Sequence, residues 1–180
     1  DGDVALQWVK TEADKQAQFE AMIERIELAC EGLKPWKPID APAEIDPSLL
    51  TLMVITDFHL GSYCWGDETS EDYNTDMARD LFLSSIKDMI DSTPNSKVGL
   101  LCNLGDFLHW DCLLQITPTS AHILDNDSRY SRIVDIAMTV MNEAVRMMLQ
   151  KYEKVVLDCA EGHPDMAGTI WLRKLLRNMN

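Results

Sequence analysis

A chain of 180 residues suffices for one domain with a substantial core and is too short for two of ordinary size. A formal net charge of −14 argues against a broad phosphate-binding surface of lysine and arginine, although bound divalent ions could still concentrate positive charge at one point. The apolar runs are strand-sized, well under the ~18 residues a membrane span needs, and no basic-then-apolar leader opens the chain; a cytoplasmic protein with no membrane partner is expected.

The sequence starts without Met and reads as a piece of something longer. Residues 1–32 carry Phe19, Met22, Ile23, Ile26 and Ala29 at helical spacing, which predicts one long amphipathic helix stopping near Gly32. Residues 33–48 hold Pro35, Pro38, Pro42 and Pro47 and form a linker or a strap. Residues 49–180 are the main domain. Within it three apolar runs, LLTLMVI (49–55), KVGLLC (97–102) and EKVVLDC (153–159), have the length of buried strands. A helix from about Thr75 to Ile90, using Met77, Leu81, Ile86 and Met89 or Ile90 as its core face, separates the first two. A second, from about Arg129 to Tyr152, uses Ile133, Ile136, Val140, Met141, Ala144 and Met148. A short helix at TIWLRKLL follows the third strand. This alternation predicts an α/β domain with helices covering a sheet. The five cysteines are odd in number and scattered, with no C-x-x-C pair, so reduced thiols are expected.

In open α/β sheets ligands gather beyond the carboxyl ends of the strands. Here those ends read TDFHLG with Asp57 and His59, NLGDFLHWD with Asp106, His109 and Asp111, and AEGHPD with His163 and Asp165. One such end is explained by turn chemistry alone; three together point to a metal site, because mixed carboxylate and imidazole ligands suit Mn²⁺, Fe or Zn²⁺. On an extended D-x-H segment both side chains would face one way. LDNDSRY (124–130) opens like a calcium loop but has Tyr130 and Ile136 where Gly and Glu are needed, which excludes it. The acidic stretch GDETSEDYNTD (66–76) reads as a solvated loop leading into a helix start. His122 is either a loop residue or a substrate contact. A dinucleotide-binding fold has the right strand–helix rhythm, but no G-x-G-x-x-G follows a strand.

The motifs DFHLGSYCWG, GDFLHWD, TPTSAHILDNDSR, AEGHPD and IWLRKLL, spanning roughly 50–176, resemble the calcineurin-like metallophosphoesterases, most closely a branch found in phages and bacteria. The resemblance implies a four-layer α/β/β/α sandwich, of which this chain would be the amino-terminal portion. It implies two divalent ions, Mn²⁺ first among Mn²⁺, Fe, Zn²⁺ and Ni²⁺. Asp57 and His59 would ligate one ion, Asp106 would bridge both, and a bridging hydroxide would attack the phosphorus of a phosphomonoester or phosphodiester, with a nucleotide or nucleic acid among the candidate substrates. His109, His122 and Arg129 would lie toward the substrate, His109 alternatively supporting a ligand. In this family the third strand ends in G-N-H-D or G-N-H-E. Aligned without gaps, His163 takes the place of the asparagine ligand, Pro164 that of the histidine that assists phosphoryl transfer, and Asp165 that of the acid behind it. A local shift would instead put His163 in the catalytic histidine's place. The two later histidine motifs of the family do not occur before Asn180. An impaired phosphoesterase is therefore expected, the alternative being a catalytically disarmed metal-binding or protein-interaction module on the same fold.

Overall fold

A computed structural model of the chain describes Glu20, Ile23, Glu24, Asp40, Pro42 and residues 44–111, 114–117, 120–162 and 166–178. The chain divides into two compact units, Asp1–Lys34 and Pro35–Asn180. Of the expected helix over 1–32 only Glu20, Ile23 and Glu24 are described, and they are helical; the remainder lies outside the described residues, as does most of the expected linker.

The second unit is built on three parallel strands, β1 (Asp46–Ile55), β2 (Ser96–Asn103) and β3 (Lys154–Cys159), side by side in that order. β1 starts at Asp46, inside the stretch expected to be linker. Pro47 is accommodated there because it sits near the start of an edge strand, where a missing N–H breaks no ladder. The helices are α1 (Gly66–Thr69), α2 (Thr75–Ser92), α3 (Tyr130–Leu149) and α4 (Met166–Asn178). α2 starts where Asn74 accepts a hydrogen bond from Met77 N (3.0 Å), satisfying one orphan donor of its first turn.

The pairing register puts Thr51, Met53 and Ile55 beside Gly99, Leu101 and Asn103, and those beside Val155, Leu157 and Cys159. This is the helix-covered face. At its centre a Cβ on Gly99 would stand 2.4 Å from Tyr152 Cδ2 and 3.0 Å from Met148 Cε, so a side chain there would expel the aromatic ring. The buried stripe of α3 is Ile133, Val134, Ala137, Val140, Met141, Ala144 and Met148, with Ile136 half-buried at its margin. α2 differs from expectation. Its core stripe is Ala78, Phe82, Ile86 and Ile90, while Met77 and Leu81 are exposed. Phe82 decides the rotation, because its ring packs against Phe58 (centroids 4.9 Å apart) and Phe107 (5.8 Å).

The opposite face is formed by Leu50, Leu52 and Val54 beside Val98, Leu100 and Cys102, with Val156 next in register. It is apolar and open: Leu50, Leu52 and Val54 are 57%, 55% and 45% exposed. Cys64 and Cys102 are free thiols.

Candidate metal centre

Beyond the strands, the segments that follow β1 and β2 stay zipped together. His59 N donates to Asp106 O (2.9 Å), Leu60 N to Phe107 O (2.9 Å), and His109 N to Leu60 O (3.1 Å). Side chains split by polarity. Phe58, Leu60, Phe107, Leu108 and Trp110 turn inward, with Leu60, Phe107, Leu108 and Trp110 almost wholly buried, and this anchors the polar residues between them. The apolar partners inside D-F-H-L and G-D-F-L-H therefore set where the polar side chains stand.

Ligand atoms of Asp57, His59 and Asp106 all lie within 4.8 Å of one another, close enough to hold one metal ion. His59 Nε2 is 3.9 Å from Asp106 Oδ2. The mechanism of convergence differs from the extended segment expected. β1 ends at Ile55, and Asp57 and His59 lie past it with φ of 52° and 47°. Asp106 has φ of 53°. Three of the five non-glycine residues with positive φ among the described residues are thus the three candidate ligands. Such backbone costs free energy, on the order of 1–3 kcal/mol per residue, and is characteristic of functional sites.

His109 stands next to the triad. Its Nδ1 lies 3.4 Å from His59 Nδ1, with the two rings edge to face. Burial pushes its pKa down, the neighbouring His59 does the same, and the charge of Asp125 opposes both. With His59 Nδ1 turned to His109, its Nε2 faces Asp106, and in the tautomer with the proton on Nδ1 that Nε2 is available for a metal.

The third strand end approaches the same place. A Cβ on Gly105 would stand 2.9 Å from Gly162 Cα and 3.1 Å from Glu161 O, so the backbones after β2 and β3 touch here, and φ of 108° also favours glycine. His163, Pro164 and Asp165, which begin immediately after Gly162, lie outside the described residues. The end of β3 and Glu161 are braced from α4. Arg173 Nε donates to Cys159 O (2.9 Å) and its Nη1 to Glu161 Oε1 (3.1 Å), while Trp171 is buried and donates to Tyr130 Oη (3.1 Å). This gives the W-L-R run a structural role.

His122 and Arg129 do not join the triad. His122 is exposed on a tight hairpin, where its O accepts from Thr117 N (2.9 Å) and its N donates to Thr117 Oγ1 (3.0 Å). Arg129 is exposed at the start of α3, on a groove shared with Asn126, Asp127 and Arg132. Sequence reasoning passed over Asp125, whose charge reaches His109. It lies in the TPTSAHILDNDSR motif and opens the rejected calcium-loop pattern, but neither marked that acid above its neighbours. Comparisons with models of protein families, with curated proteins and with solved structures gave no match.

Proposed function

We propose that the chain is a metal-dependent phosphoesterase of the calcineurin-like kind, close to the phage and bacterial branch. The observation that carries the reading is the convergence of Asp57, His59 and Asp106, each held in a left-handed backbone conformation, at the carboxyl end of a parallel sheet. The donor set fits a divalent ion such as Mn²⁺, Fe or Zn²⁺: two carboxylates and one imidazole. When bound, such an ion lowers the pKa of water and neutralises phosphoryl charge. Asp57, His59 and Asp106 would hold the ion, His109 orients His59, and Glu161–Gly162 lie against Gly105, next to Asp106. The reading also takes the three-stranded sheet as one central layer of an α/β/β/α sandwich. The apolar face of Leu50, Leu52 and Val54 supports this, since parallel sheets are ordinarily covered on both sides.

Pro164 favours a second reading, a metal-binding or interaction module without turnover, because proline has no side-chain proton to transfer. Hydrolysis of p-nitrophenyl phosphate and its bis-ester, with and without Mn²⁺ and beside Asp57→Ala, separates the two. Weak Mn²⁺-dependent turnover, lost in Asp57→Ala, is the result expected of an impaired phosphoesterase. Mn²⁺ binding without turnover would replace the enzyme with the module, and no Mn²⁺ binding would remove both.

A further inference from the structure

Beside the triad, the chain between His59 and α2 builds a second recess. It turns immediately after the ligand, with Ser62 N donating to His59 O (3.0 Å) and Gly61 at φ of 100°. Tyr63 N then donates to Asp125 O (3.1 Å), and Cys64 and Tyr73 exchange both backbone hydrogen bonds (2.9 and 3.0 Å). Gly66 N donates to Asp72 Oδ1 (2.7 Å), and Thr69 Oγ1 lies 2.9 Å from Trp65 O and 2.8 Å from Glu71 O. A loop tied at so many points holds its side chains in place. Even so, it presents Trp65 51% and Tyr63 44% exposed. Both line a cleft of about 380 Å³ together with Cys64, Glu68, Thr69 and Asp125. Backbone hydrogen bonds connect this cleft to the centre, since Asp125 is tied to Tyr63 and the adjacent Ser62 to the ligand His59.

Two aromatic faces and two carboxylates in one small cleft suit a flat ring with N–H donors on its edge. They repel a phosphate, which would be left to the metal triad. A long polyanion is disfavoured by the net charge of −14. We propose that this cleft seats the base of a nucleoside monophosphate, with Trp65 and Tyr63 against the ring and Asp125 and Glu68 accepting from its exocyclic amine. The phosphate end of this assignment rests on the phosphoesterase reading; the base end does not. A carboxylate acceptor also sets a preference, because cytosine offers an amine where uracil offers a carbonyl oxygen.

The test is quenching of intrinsic tryptophan fluorescence of the full chain, without metal, by cytidine 5′-monophosphate, uridine 5′-monophosphate and ribose 5-phosphate. Saturable quenching by the cytidine nucleotide is expected, with uridine roughly fivefold or more weaker and no effect of ribose 5-phosphate. Trp65→Ala should weaken cytidine nucleotide binding, followed by calorimetry, roughly tenfold, and Trp65→Phe should restore most of it. Asp125→Ala combined with Glu68→Ala should remove the preference over uridine. Nucleotide binding of this pattern without Mn²⁺-dependent hydrolysis would uphold the cleft and remove the phosphoesterase reading. Equal kcat/KM for ribose 5-phosphate and the nucleotide, unchanged in Trp65→Ala, would overturn the cleft and leave that reading intact.

Discussion

His109 illustrates how much of the centre depends on a residue that is not itself in the triad. Its contact with His59 Nδ1 leaves that ring little choice about which nitrogen faces Asp106. Losing such a partner commonly costs 10–100-fold in metal affinity. His109→Ala is therefore expected to weaken Mn²⁺ binding by at least about tenfold in isothermal titration while leaving the thermal midpoint nearly unchanged; affinity equal to the parent would show that His109 does not orient the ligand. Gly105 makes the opposite kind of contribution. Gly105→Ala must both adopt φ of 108° and separate two backbones that touch at Gly162, so a loss of about 2–3 kcal/mol in chemical unfolding is expected. The sequence made Asp57, His59 and Asp106 legible because few reasons other than a ligand put that combination at strand ends. It could not disclose their left-handed backbone, since Asp and His carry no strict marker for φ as glycine does.

At the scale of elements, the strands and helices followed directly from run length and periodicity, whereas the rotation of α2 did not. Met77 and Leu81 are as hydrophobic as Ala78 and Phe82, and only the contact of Phe82 with Phe58 and Phe107, which are distant in sequence, chooses between the two stripes. The docking of the 125–129 loop onto α2 was equally hidden, because it depends on one long-range hydrogen bond. Asp127 accepts from Thr75 N (2.7 Å), acting as a cap donated from 52 residues away. Hydrogen bonding from Thr75, against the opposing effect of burial, holds the Asp127 carboxyl below the usual carboxylate range. A depressed folded-state pKa means that stabilisation is fully present above the unfolded value of about 3.9 and disappears as pH falls through the folded value. Asp127→Ala should therefore lower stability by about 1 kcal/mol across pH 5–8, with the difference from the parent shrinking below about pH 4. Thermal melts of both proteins over that range check this, and a pH-independent difference would place the contribution in packing instead.

At the scale of the whole molecule, the sheet has two faces with different fates. Met53 on the covered face is 2% exposed, while Leu52, its neighbour in the chain, is 55% exposed on the other. Period-two alternation puts them on opposite sides, but apolar residues at both positions mark only a strand made for burial. The asymmetry has a measurable consequence. Met53→Lys places a charge among the side chains packed under α2 and α3 and should prevent folding or cost more than about 3 kcal/mol. Leu52→Lys places it on the open face, where a change of no more than about 0.5 kcal/mol is expected, along with weaker self-association in sedimentation velocity, because an uncovered patch of Leu50, Leu52, Val54 and Leu100 invites contact between copies. Should Leu52→Lys destabilise the protein as severely as Met53→Lys, the face is covered in solution, and the sheet already has its second layer.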